Sequence, residues 1–137
     1  MQLTPLVAMH LSAAVAALAI GPVAVWARRG ATPRARLHRA FGYAWVTLML
    51  AAALTAVFIR DFRLPNIAGY TPIHLLVPAT LGSLLVAFRK LARGDVTGHR
   101  RWMQGVYVGG CIVAGAFAFL PGRYLHNLVV GQLLALV

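Results

Sequence analysis

The chain has no glutamate, aspartate occurs only at Asp61 and Asp95, and the single cysteine is Cys111. With so few carboxylates, there is no basis for a carboxylate-bridged two-metal site, for paired-carboxylate acid–base work or for a carboxylate proton relay. One cysteine permits no internal disulfide framework. The absence of Cys-x-x-Cys-His excludes covalent c-type haem attachment through that motif. Ser12, Ser83 and Cys111 have no nearby base with an orienting acid, which disfavours nucleophilic catalysis. Charge is scarce overall: charged residues make up 11 % of the chain, against 61 % apolar ones.

What the sequence has instead is long apolar runs. Four stretches reach or approach the ~20 residues needed to cross ~30 Å of hydrocarbon. They cover about 5–27, 37–59, 72–89 and 101–120. They predict one all-α membrane domain over residues 1–137, an integral four-helix up-down bundle. The remaining apolar segment, 124–137, is too short to span and is expected to lie in the interface or against a partner.

Ten of the thirteen Arg and Lys residues lie in two short loops or at their edges, between the first and second stretches and between the third and fourth. Only Arg60, Arg63 and Arg123 fall on the other side. This split argues for topology and anionic-lipid contact instead of nucleic-acid binding. It places both termini in the periplasm and the basic loops in the cytoplasm of a bacterial inner membrane. Positive charge follows the first stretch, at Arg28-Arg29, instead of preceding it, so this stretch reads as an anchor and not as a cleavable signal.

Local signals refine the picture. Thr4-Pro5 is a cap followed by a first-turn proline. Ala13, Ala17 and Gly21 recur at four-residue spacing and allow close approach. Gly30 and Thr32-Pro33 break the chain between the first two stretches. Pro72 and Pro78 predict a bent or locally unwound start to the third. Gly105-x-x-x-Gly109 predicts a closely packed face on the fourth.

The histidines fall at two depths. His10 and His74 are near the outer ends of the first and third stretches, and His38 and His99 at the inner ends of the second and fourth. In an up-down bundle these are diagonal partners, roughly 12–14 Å apart between axes when neighbours are separated by 8–10 Å. Neutral imidazole is a common axial ligand of haem iron. Two level-matched pairs therefore suggest two haems b some ~20 Å apart along the helices, or one between His10 and His74, the more deeply placed pair. Arg39, Arg100 and Arg101 would hold inner propionates and Arg123 outer ones. Gly42, four residues after His38, would let a haem approach the helix closely. Two other readings stand beside this one: an intramembrane histidine also serves as an interhelical hydrogen-bond donor, and interfacial arginines also retain the loop. His126 has no partner at its depth.

The stretches His38-Arg39-Ala40-Phe41-Gly42-Tyr43, Ile73-His74-Leu75-Leu76, Gly94-Asp95 through His99-Arg100-Arg101-Trp102-Met103, and Phe119-Leu120-Pro121-Gly122-Arg123 resemble a family of small bacterial membrane proteins known as domain of unknown function 2306. That resemblance implies a four-helix membrane protein and no assigned activity. A looser, architectural likeness is to two-haem cytochromes of the b561 type, which also carry one histidine pair per leaflet. The function expected is a b-type cytochrome passing electrons across or into the membrane, with quinol or a small redox donor meeting the haem edge. The rivals are a non-catalytic accessory or assembly subunit of a larger membrane complex, and a small transporter with His10, His74 and Arg123 lining an outward vestibule.

Overall fold

The computed structural model describes residues 4–27, 35–62, 65–121 and 123–134, and it is helical throughout its principal elements. Arg28, Arg29, Gly30, Thr32, Pro33, Arg34, Arg63, Gly122 and residues 135–137 lie outside the described residues.

Helix α1 (Pro5–Trp26) starts as the sequence indicates. The Thr4 side chain accepts a hydrogen bond from the Val7 amide, and Pro5 occupies the first turn, where no donor is needed. Helix α2 (Ala35–Phe58) returns antiparallel along α1, with which it makes its most extensive contact. The chain then enters a one-turn 3-10 segment, Pro72–Leu75, and continues as α3 (Leu76–Ala92). Pro72 and Pro78 account for this tight entry, since neither ring supplies an amide donor.

The next rod is helical from residue 96 to 118. It comprises α4 (Val96–Tyr107), a π-helical segment (Val108–Val113) and α5 (Ala114–Ala118). It packs against α3 as α2 packs against α1. Helix α6 (Tyr124–Leu134) covers most of the expected C-terminal segment and touches the rest of the molecule mainly at α5. Leu128, Val129, Val130 and Leu134 remain exposed along it.

Among the described residues, three helical runs are long and apolar enough to cross a membrane: Pro5–Val25, Ala35–Phe58 and Pro72–Ala92. Large apolar side chains are exposed on all of them, among them Met9, Leu54 and Leu85. Apolar surface facing outward over such lengths is what a lipid environment requires.

The core gathers Ala17, Ala24, Trp45, Met49, Leu84, Val106 and Cys111. Alanines on α1 and bulkier groups on α2 interlock, as the four-residue spacing anticipates: Ala13 and Ala17 are buried. A Cβ built on Gly21 would stand 2.5 Å from the Tyr107 ring and 2.9 Å from Trp45 Nε1.

The expected close-packed face at Gly105 and Gly109 is not formed. A Cβ at either position meets nothing within 4 Å. Gly110 is the glycine pressed into the interior, where an added Cβ would come 2.6 Å from Met49 Cε and 3.4 Å from Thr80 Oγ1. The expectation of a Gly-x-x-x-Gly face presumes regular α geometry. The π segment interrupts the i→i+4 ladder here and changes which residue turns inward.

Gly110→Leu should therefore destabilise the folded protein by about 1–3 kcal/mol through overpacking. Gly109→Leu should stay within about 0.5 kcal/mol of wild type, as an open-face substitution does. Thermal unfolding of both variants in the same mild detergent checks the contrast.

Candidate functional site: a cleft lined by two histidines

Each of the four candidate histidines bonds a backbone carbonyl outside its own helix. His10 Nδ1 lies 3.0 Å from Ala52 O and 3.2 Å from Thr55 Oγ1. His38 Nδ1 lies 2.7 Å from Ala24 O, in the last turn of α1. His99 Nδ1 lies 3.0 Å from Ala87 O on α3. A carbonyl only accepts, so in all three rings the proton sits on Nδ1. Their Nε2 atoms take no hydrogen bond among the described residues.

His74 is arranged the other way. Its Nε2 donates to Ile59 O at 2.7 Å, and its Nδ1 accepts from the Thr71 amide at 3.1 Å. The Tyr70 ring packs edge-on against it, centroids 5.1 Å apart. This is a capping arrangement for the 3-10 turn, with Thr71 buried beside it. The Nε2 proton and the Nδ1 lone pair are both used.

The expected outer pair is engaged in contacts between elements. His10 and His74 both dock on the end of α2, at Ala52 and Ile59, and His74 has no lone pair left for a metal. Arg123, expected to hold outer propionates, instead pairs with Asp61 at 3.7 Å, and both side chains are largely buried. That contact ties the segment before α6 to the one after α2.

The inner pair does come together. His38 and His99 line one cleft, formed where the end of α1 and start of α2 meet the end of α3 and start of α4. The void at its centre is about 150 Å³. Ala24, Val25, Val46, Phe88, Leu91 and Met103 give it apolar walls, and Arg39, Arg100, Tyr43 and Gln104 add polar groups. No carboxylate lines it. Gly42 is on the wall, and a Cβ there would meet nothing within 4 Å, so the helix surface beneath His38 is open to a close-lying ligand. Arg101, expected alongside Arg100, is not on the cleft wall; it is exposed on α4. The cleft takes an arc of α4 that includes His99, Arg100, Met103 and Gln104, and Arg101 falls outside that arc.

Several wall residues escaped the sequence reading. Trp45 is buried, with Nε1 lacking a hydrogen-bond partner among the described residues. The Phe88 ring stands 6.1 Å from that of His99. The signal that would have found Trp45 and Met103 is spacing: they follow His38 and His99 by seven and four residues, on the same helix faces. Among the described residues, no group of three or more His, Cys, Asp and Glu side chains is placed to hold a metal ion.

Asp95 positions this site from outside it. Its Oδ1 accepts the Gly98 amide at 2.7 Å, and Oδ2 pairs with Lys90 at 3.1 Å. The carboxylate caps α4 one turn before His99 and ties that turn to the end of α3. The Gly98 N–H, and after it the Lys90 ammonium, hold its carboxyl below the usual carboxylate range. A depressed folded-state pKa contributes stability that is fully present above the unfolded value and lost as pH falls through the folded one. On acidification below about pH 4, the wild type should lose stability that Asp95→Asn, already less stable at neutral pH, does not have to lose. Thermal unfolding against pH in one detergent measures both curves.

Comparison with known proteins adds a family and no relative of known activity. No curated protein and no solved structure matches the chain. Residues 7–120 match the family described as "Predicted membrane protein (DUF2306)". That match takes in all but the first two residues of α1, all of α2 to α5 and both cleft histidines, and the chain belongs to this family.

Proposed function

We propose that the protein is a small b-type cytochrome of the bacterial inner membrane that holds one haem in the inner cleft, with His38 and His99 as axial ligands. The rod running from α4 through α5 supplies a fourth crossing beside the three apolar runs, and the basic ends of the helices face the cytoplasm.

The observation that carries the reading is the pairing of tautomer and place. Two imidazoles from different helix pairs line one cleft, and each has Nδ1–H tied to a carbonyl and Nε2 uncommitted. Such a tie fixes ring orientation and raises ligand basicity. Three further features support the reading. The walls are apolar, Gly42 leaves room against α2, and Arg39 and Arg100 supply cations for carboxylates without a competing acid.

Bound there, haem would supply reversible one-electron transfer. The chain's own part is to hold the rings by Ala24 O and Ala87 O, to exclude water with Phe88, Leu91 and Met103, and to balance charge with Arg39 and Arg100. Quinol or a small redox donor is the electron source, and a larger membrane complex could house the protein. A second haem between His10 and His74 is not part of the proposal, because both nitrogens of His74 are engaged.

Protein purified in mild detergent after expression with added haem should show a Soret band and sharp reduced α-bands of low-spin bis-histidine iron. His38→Ala and His99→Ala should each remove that signature, whereas His10→Ala and His74→Ala should keep it. A colourless, stably folded wild type would refute the cytochrome reading and favour the accessory-subunit or transporter alternatives.

A further inference from the structure

The inner end of the bundle carries more cations than the cleft uses. Arg36 on α2, Arg89 and Arg93 at the end of α3, and Arg101 on α4 are all exposed, and none lines the cleft. Asp95 is the one carboxylate at this end in sequence, and it is committed to Lys90 and to the Gly98 amide. No ion pair to any of the four arginines occurs among the described residues. Arg36 also stands in the first turn of α2, where no acidic residue is present and the positive end of the helix dipole opposes it.

Exposed apolar side chains lie on the same helix ends as these arginines: Trp102, next in sequence to Arg101, is 41 % exposed, and the cleft-wall residues Phe88, Leu91 and Val96 are 38 %, 44 % and 53 % exposed. A water-soluble acidic protein would leave those side chains without matching contact. An amphiphile with a phosphate head and acyl tails matches both: guanidinium takes phosphate in a forked geometry, and the exposed aromatic and aliphatic groups sit where headgroup meets hydrocarbon.

We infer that Arg36, Arg89, Arg93 and Arg101 form a collar that binds anionic phospholipid phosphate, and that the fold depends on this lipid to relieve repulsion within the collar. The inference does not rest on the haem reading, since none of its four arginines lines the cleft.

The test is thermal unfolding of the full chain in nanodiscs of phosphatidylcholine, alone or mixed with phosphatidylglycerol. Wild type should melt about 5 °C higher in the anionic mixture. The variant R36Q/R89Q/R93Q/R101Q should lose that rise and should melt no lower than wild type in phosphatidylcholine alone. Arg60→Gln, at the opposite end, should keep the rise. Inorganic phosphate added to phosphatidylcholine discs should not reproduce it; if it does, the collar is a site for free phosphate and the lipid assignment falls. Equal melting in both lipids, or a full rise in the quadruple variant, overturns the inference. Native mass spectrometry of wild type gives an arm independent of the variant's folding: phosphatidylglycerol should stay bound where phosphatidylcholine is shed, and equal retention overturns the inference as well.

Discussion

A histidine ring bonded to a backbone carbonyl outside its own helix is the interaction on which this architecture turns. Inside a bilayer there is no hydrophobic drive to press helices together, so packing and interhelical hydrogen bonds must hold them. His38 joins α2 to α1, His99 joins α4 to α3, and His10 and His74 join α1 and the 3-10 turn to the end of α2. Each bond is worth only about 0.5–1.5 kcal/mol net. Two of them take carbonyls at helix ends that have no partner within the helix, Ala24 in the last turn of α1 and Ile59 just past α2. The same bonds set the tautomer of each ring, and the tautomer decides whether a lone pair remains for chemistry. A structural bond at a histidine is thus compatible with the proposed ligand role. At His38 and His99 the structural bond is what frees Nε2, and at His74 it is what consumes the ring.

The cleft follows from how the two helix hairpins meet. The α1–α2 and α3–α4 hairpins each pack tightly within themselves and less extensively on each other. Trp45, Met49, Leu84 and Val106 close the seam between them in the core. Toward the basic end, Gly42 and the small Ala24 leave the seam unfilled, and the two histidines look into it. Asp95 keeps that mouth in register by capping α4 and clasping Lys90 on α3.

Much of the fold was legible because it rests on one-dimensional signals. Apolar run length marked the helices, Thr4-Pro5 marked the start of α1, and Pro72 with Pro78 marked the tight entry to α3. Depth is legible too: position along the apolar runs puts His38 and His99 at one level, and one cleft takes both. Direction around the helix axis and the choice of ring nitrogen were not. Rise per residue places His10 and His74 in one layer, yet it carries no information that His74 spends both nitrogens on Thr71 and Ile59. The same gap separates Arg100 from Arg101, adjacent in sequence and divided by the cleft wall. It also hid the exchange of Gly109 for Gly110 as the interior glycine, because a π turn alters the angular step that spacing rules assume.

Which ring nitrogen carries the proton decides the role of each histidine, and nitrogen-15 NMR of the histidine-labelled protein, prepared without haem in lipid discs, reads this directly. His38 and His99 should report the Nδ1–H tautomer and His74 the Nε2–H tautomer, at a pH where all are neutral. An Nε2–H tautomer at His38 or His99, or a bare Nε2 at His74, would contradict the arrangement of carbonyl bonds on which the cleft and the proposed ligation rest.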